Sequence, residues 1–237
     1  MDTQVIVPIS MLPFGMLNAY LIIRKQRAIL IDTGLPNSAN RIEKVLKKAG
    51  LEWLHIDLII LTHGHIDHVG SAHHARVLSS APIVAHAGDV PYIQDGKRPM
   101  LNPTGTFGKF FVKTRAIEQP FKYFQPDITM IDNELSLEDF GFRGRILHTP
   151  GHTPGSLSVF LDDGEVVAGD LVASGILLGG IMLKDRPKPP PFEEDRQAVL
   201  TSLKFLLNEG AKKFYLGHGG PLSAEHVDTF LRKQHRA

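Results

Sequence analysis

The chain has 237 residues, 43% of them apolar and 22% charged, with a formal net charge of +1. That length can build one α/β domain with a sizeable core, and so even a charge balance favours neither nucleic acid nor an anionic membrane as partner. There is no cysteine, which excludes disulfides, thiolate metal sites and a cysteine nucleophile.

The first ten residues lack a basic stretch followed by a long apolar run, and no segment approaches the roughly 20 apolar residues of a membrane span. A cytoplasmic protein is expected. Strands are expected at residues 5–9, 19–24 and 28–31, the last two joined by the polar turn Lys25-Gln26-Arg27. Ser38 is placed to cap a helix that runs to about Ala49 and is closed by Gly50. The run Leu58-Ile59-Ile60-Leu61 has the continuous apolar character of a strand buried on both faces. A histidine-rich turn follows at 62–70, then a helix to about Leu78 and a buried strand at 82–85.

Residues 97–126 break this regularity. They hold Phe107, Phe110, Phe111, Phe121 and Phe124 among Gly, Pro and basic residues, with no period. Strands resume at 128–131, 143–147, 156–161 and 166–168, with Asp162-Asp163-Gly164 turning the last hairpin. Residues 171–191 read as loop, ending in Pro187, Pro189, Pro190 and Pro191, either a stiff wall near Asp170 or a solvated linker. A helix is expected at 195–208, a strand at 213–216 and a closing helix at 223–234. Strands in runs with helices between blocks imply two sheets with helices outside.

Chemistry concentrates in Thr62-His63-Gly64-His65-Ile66-Asp67-His68, directly after the buried strand. His63 and His65 are two apart, so in extended backbone their rings point the same way. The chain then turns, and Asp67 and His68 face a second point nearby. Three imidazoles and a carboxylate this close suit a borderline divalent ion such as zinc. Three further strand ends carry His152 in Pro150-Gly151-His152-Thr153-Pro154-Gly155, Asp170 in Ala168-Gly169-Asp170, and His218 in Gly217-His218-Gly219. Glycine at each lets the backbone approach a ligand closely. His55, His73, His74, His86, His148, His226 and His235 read as packing or surface residues, and Trp53 as packing behind the first helix.

Together with Asp32 in Ile31-Asp32-Thr33-Gly34, these motifs resemble, in order and over nearly the whole chain, the metallo-β-lactamase superfamily. The resemblance implies a single α/β domain spanning 1–237, an αββα sandwich of two mixed β-sheets flanked by helices, with a Phe-rich insertion around 97–126. It implies that His63, His65 and His152 hold one metal, that Asp67, His68 and His218 hold a second, and that Asp170 bridges them. Asp32 is implied to orient ligands without touching metal.

The cofactors expected are two divalent ions, zinc in the first instance, manganese or iron otherwise. Two such ions about 3.5–4 Å apart share a bridging hydroxide and polarise the scissile carbonyl, with Asp67 as proton carrier. His65 stands where oxygen-reducing diiron relatives carry Glu. Asp170 and the lack of cysteine count against a dedicated β-lactamase. No basic nucleic-acid surface is evident. The short stretch after His218 differs from the helical extension of glyoxalase II-type thioesterases, and lactonase-type relatives place a tyrosine near the site, for which Tyr92 and Tyr123 are the candidates.

The expected function is hydrolysis of a small ester, lactone or thioester. The alternatives are promiscuous β-lactam or phosphoester hydrolysis at the same centre, or a metal-binding regulatory protein without catalysis. The expected partner is a small-molecule substrate, with neither nucleic acid nor membrane. Phe107, Phe111 and Phe124 either wall a substrate channel, with Lys109, Lys113, Arg115 and Lys122 on its rim, or pack the insertion down or form a homodimer contact.

Overall fold

The computed structural model describes residues 3–114, 119–176 and 182–234, without the side chains of Phe107, Phe111 and Thr114. Arg115 and His235 therefore lie outside the described residues. In chain order the elements are β1 (Gln4–Leu12), β2 (Leu17–Arg24), β3 (Arg27–Ile31), α1 (Ala39–Lys48), β4 (Ile56–Ile60), α2 (Ile66–Val69), α3 (Ala72–Ser79), β5 (Ile83–His86), α4 (Val90–Gln94), β6 (Asn102–Pro103) and α5 (Thr106–Phe111). There follow β7 (Ile128–Met130), β8 (Glu134–Ser136), β9 (Arg145–His148), β10 (Leu157–Phe160), β11 (Glu165–Val167), β12 (Ala173–Ser174), β13 (Pro187–Lys188), β14 (Phe192–Glu193), α6 (Arg196–Asn208), β15 (Lys213–Tyr215), β16 (Leu222–Ser223) and α7 (Ala224–Gln234).

Two six-stranded sheets result, ordered β1-β2-β3-β4-β5-β7 and β16-β15-β11-β10-β9-β8. Period-two alternation sorts the side chains into layers. Ile29, Ile31, Leu58 and Ile60 of the first sheet face Ile146, Leu157, Val159 and Val167 of the second, forming the core between the sheets. Their neighbours Ala28, Leu30, Ile59 and Leu61 point the other way, where Ile42 and Leu46 of α1 and Ala72 and Ala75 of α3 cover them. Leu147, Phe160, Val166 and Phe214 do the same under Val199 and Leu203 of α6 and Val227 and Phe230 of α7. The four layers are those of the expected αββα sandwich.

Parallel pairing of β3 with β4, β4 with β5 and β11 with β15 puts Asp32, the histidine-rich turn, Asp170 and His218 at the same end of the sandwich. No helix among the described residues is long and apolar enough to cross a membrane.

Several boundaries move for local reasons. Arg27 pairs with Arg24, so the hairpin turn is Lys25-Gln26 alone, with Lys25 at φ +55°. The strand expected from 143 begins at Arg145, because Gly144 sits at φ +127° and packs against Phe160 O. Ser38 precedes α1 but its hydroxyl does not cap it. Its own N–H donates to Ser71 Oγ at 2.8 Å. Asp195, by contrast, caps α6 through Ala198 N–H at 3.0 Å.

The stretch 171–191 is not plain loop. β12 pairs with β13, and β14 pairs with β6 of the Phe-rich segment. Thr104 adds its N–H to Pro191 O at 3.1 Å and its hydroxyl to Pro190 O. The proline-rich stretch is thus a strap to which the insertion is fastened.

Leu30→Ala, in the layer beneath α1, should cost about 2–5 kcal/mol, read from chemical denaturation midpoints. Leu54→Ala, 71% exposed, should shift stability by less than about 0.5 kcal/mol.

Candidate metal centre

The loops after β4, β9, β11 and β15 bring seven ligating side chains together. His152 Nε2 lies 3.2 Å from His63 Nε2 and 3.1 Å from His65 Nδ1. The three rings stand nearly perpendicular to one another, at 79–90°. Beside them, His218 Nε2 is 3.4 Å and His68 Nε2 3.8 Å from Asp67 Oδ2. Asp170 joins the groups: Oδ2 is 3.2 Å from His218 Nε2 and 3.7 Å from His152 Nε2, and Oδ1 is 3.6 Å from His68 Nε2. Each of the seven expected ligands is therefore in the cluster. His148 is not: it stacks on His86 at 3.7 Å and bonds to Pro154 O at 2.9 Å.

What aims the rings is the partner on each far nitrogen. His68 Nδ1 donates to Asp32 Oδ2 at 2.8 Å, His152 Nδ1 to Phe192 O at 2.9 Å, and His218 Nδ1 to Met16 O at 2.6 Å. Thr62 gives its hydroxyl proton to Asp32 Oδ2 at 2.7 Å, which leaves Thr62 Oγ1 to accept from His63 Nδ1 at 3.0 Å. All four arrangements leave Nε2 as a lone-pair donor facing the cluster. Asp32 thus has the orienting position expected of it, and its other oxygen takes Thr62 N–H at 2.8 Å. Asn18 braces the His218 loop, its Nδ2 donating to Leu216 O and Gly219 O at 3.1 Å each.

Asp89 is the residue that sequence reasoning missed. Its buried carboxylate accepts Gly64 N–H at 2.7 Å, Thr153 Oγ1–H at 2.7 Å and Gly155 N–H at 2.7 Å, so one side chain holds the His63–His65 turn to the His152 turn. Burial pushes its pKa up to about 6 against those three donors. Gly155 packs so close that a Cβ there would lie 2.6 Å from Asp89 N. The only sequence signal available was an acid three residues past a buried strand, in Ala87-Gly88-Asp89.

The electrostatics fit a cation. Burial, reinforced by the neighbouring imidazoles, drives His63 far below its ordinary value and His65 down to about 3, and burial also lowers His152. All three are neutral imidazoles, the form in which histidine can bind a metal. Burial works against charge on His68 and His218 as well, but Asp170 leads the carboxylates that outweigh it, carrying His68 up to about 9 and His218 well above its usual range. Asp67 and Asp170 are held low against their own burial, chiefly by His68 and His218. His68 Nε2 and Asp170 Oδ1 are buried with no hydrogen-bond partner. Lone pairs that face each other cannot bond to each other; divalent ions give them a common partner, and the donor set of imidazole and carboxylate suits such ions.

A cavity of about 220 Å³ opens beside His65, lined among others by Gly64, Tyr92, Lys97, Phe121 and Tyr123. Tyr92 and Tyr123, the two tyrosines expected at the rim, both line it. Phe124 does not. It is buried beneath α3 with Arg76 over its ring at 5.3 Å, so its ring is committed to packing and does not wall the channel. Phe107 and Phe111 have side chains outside the described set. Lys109, Lys113 and Lys122 are exposed elsewhere, and among the described residues the cations lining the cavity are Lys97 and Arg98.

Residues 12–218 match the family described as the metallo-beta-lactamase superfamily. The probable metallo-hydrolase YflN of Bacillus subtilis (strain 168) is 29% identical over 211 residues, covering 86% of this chain and 79% of YflN. The hydroxyacylglutathione hydrolase GloC of Haemophilus influenzae (strain ATCC 51907 / DSM 11121 / KW20 / Rd) is 28% identical over 183 residues, covering 76% and 73%. Among solved structures, TTHA1623 in a di-iron-bound form shares the fold with a TM-score of 0.64 at 24% identity, over 94% of this chain and 96% of that one.

Asp89→Ala strands two buried N–H groups and should lower stability by on the order of 2–4 kcal/mol. Metal affinity, measured against a competing chelator, should fall at least about tenfold. Thr201→Ala, which loses only an exposed bond to Gln197 O, should change neither. Gly217→Ala would drive a Cβ into Asp170 Oδ1 and to 2.7 Å from His68 Cε1. Its metal content should collapse while the far-ultraviolet circular dichroism of the fold persists.

Proposed function

The chain belongs to the metallo-β-lactamase superfamily, and from that premise we propose that it is a hydrolase of a small ester, thioester or lactone, working with two divalent ions, zinc in the first instance. The observation that carries this reading is Asp170, whose oxygens stand 3.2–3.7 Å from imidazoles of both ligand groups. A lone ion among His63, His65 and His152 would not require a carboxylate shared with His68 and His218. The relative named as a hydroxyacylglutathione hydrolase supports an acyl carbonyl as the group attacked, and the di-iron form of TTHA1623 supports a site for two ions.

His63, His65 and His152 would hold one ion, Asp67, His68 and His218 the other, with Asp170 shared. When bound, the pair supplies Lewis acidity toward the carbonyl and brings the pKa of water near neutrality. The protein's own groups do the rest. The acceptors on Nδ1 of His63, His68, His152 and His218 keep Nε2 lone pairs aimed inward, so no reorganisation is needed during reaction. Asp67 is the most exposed ligand, its side chain 24% accessible against 6% or less for His68, Asp170 and His218. With Oδ2 turned to His218 and His68, its Oδ1 is free to take a proton from the attacking water and pass it to the leaving group. Neither a serine nor a cysteine nucleophile is required.

Elemental analysis after reconstitution should find about two divalent ions per chain. The loaded protein should hydrolyse members of a panel of aryl esters, thioesters and lactones. Asp170→Ala should abolish turnover and drop the ion content, whereas His148→Ala should retain both. One tight ion, or none, in the wild-type chain would overturn the dinuclear reading, and equal damage from both substitutions would overturn the ligand assignment.

A further inference from the structure

The cavity beside His65 has a chemistry of its own. Among the described residues its charged lining is Lys97 and Arg98, with no carboxylate. Arg98 already has an interaction within the protein. The Lys97 ammonium has no hydrogen bond or ion pair among the described residues, while its backbone is pinned through N–H to Pro91 O at 3.0 Å. Glu194, the carboxylate close by, feels the Lys97 charge without forming an ion pair with it, and its oxygens accept the Tyr92 hydroxyl at 2.8 Å and Met100 N–H. One wall is apolar, with Phe121 and Tyr123 set edge to face at 4.7 Å and Leu101 beside them. His65 lines the cavity as well and turns Nδ1 to the ligand group.

We propose that this cavity receives a carboxylate-bearing arm of the substrate and that Lys97 is the residue that selects for it. The proposal rests on the hydrolase reading above and narrows its substrate class to acyl esters, thioesters or lactones carrying a negative charge beyond a short apolar stretch. Every feature of the pocket answers to such a molecule. The scissile carbonyl lies at the ligand cluster on the far side of His65, the apolar stretch packs on Phe121 and Tyr123, and the anion meets an ammonium without an ion pair. A volume of about 220 Å³ fits a small arm and excludes a folded macromolecule. Lys97 is exposed, so water screens the pairing and its effect on affinity is modest.

The test compares two aryl esters of the same chain length, one ending in a carboxylate and the other in its methyl ester, on the metal-loaded wild type, Lys97→Gln and Lys97→Arg. Wild type should prefer the carboxylate, with the preference shrinking as salt is raised. Lys97→Gln should raise KM for the carboxylate about two- to fivefold with little change in kcat, so that the kcat/KM ratio between the two esters falls by the same factor. Lys97→Arg should restore most of it. Equal effects of Lys97→Gln on both esters overturn the proposal.

A second arm separates this claim from hydrolysis itself. Calorimetric binding of a non-hydrolysable amide of the carboxylate ester to the protein without metal should be weakened by Lys97→Gln and unchanged by Lys48→Gln on α1. If the wild type hydrolyses nothing yet binds the amide in this way, the subsite stands and the hydrolase reading falls. If the amide binds wild type and Lys97→Gln alike, the subsite falls whatever the enzyme hydrolyses.

Discussion

Five imidazoles and the Asp170 carboxylate are buried at one end of the two sheets with Asp67 beside them, and ring nitrogens stand 3.1–3.2 Å apart with no proton to share between them. Left alone, such an arrangement repels itself and strands polar atoms in a dry interior. It persists because each ring is gripped from behind: His68 by Asp32, His63 by Thr62, His152 by Phe192 O and His218 by Met16 O. Those anchors come from the end of β3, the end of β4, the strap before α6 and the turn between β1 and β2. The geometry of the cluster therefore depends on both sheets being docked, and a cation held there would also clamp them together. Metal binding and folding would then be linked in the ordinary thermodynamic sense, because an ion that binds only the assembled loops stabilises the assembly.

The strap shows how this reaches the substrate side. Phe192 O holds His152, the next residue but one donates its N–H to Gly151 O and His152 O, and that same residue, Glu194, takes the Tyr92 hydroxyl with its side chain. Asn102 adds a bond to Glu194 O at 3.1 Å. Residues 97–111 are thereby moored to the turn that carries a ligand, not to solvent-facing loop. Tyr92 in turn lies against Gly64, where a Cβ would meet its own at 2.9 Å. The cavity wall and the metal loop are in van der Waals contact, with no adjustable layer between them.

The layers of the fold were legible in the sequence because strand alternation is a local, periodic signal. Ile29 and Ile31 against Ala28 and Leu30 show it, and so does the unbroken run at 58–61. The ligands were legible because their motifs are dense and sit at strand ends. Their supports were not. Phe192 O and Met16 O are backbone acceptors, which any residue supplies. Asp89 is one acid in a short turn, and its three partners lie up to 66 residues away in sequence. β8 was missed because Glu134 and Ser136 are exposed and only Leu135 turns inward. The reading of Phe124 failed for a related reason. With no period in 97–126, nothing marked which ring of Phe121-Lys122-Tyr123-Phe124 turns toward the cavity, and burial under α3 decided it.

The same contrast separates what this scaffold can vary from what it cannot. Ligands on strand ends are positioned by two sheets and an inter-sheet core, so a change there is felt by both metal groups through Asp170. Selectivity residues such as Lys97, Phe121 and Tyr123 sit on a segment without a sheet of its own, fastened at a few points: β6 on β14, Thr104 on Pro190 and Pro191, Met100 on Glu194. Residues between those points can change side chain without moving a ligand, because none of their side chains holds one. Glu194 is the exception. It is bonded both to the His152 turn and to Tyr92, so it transmits any displacement of the cavity wall to a metal-ligand turn. Selectivity can therefore be tuned at the unpaired Lys97 far more cheaply than at Tyr92, whose hydroxyl is already part of the structure that keeps the chemistry in place.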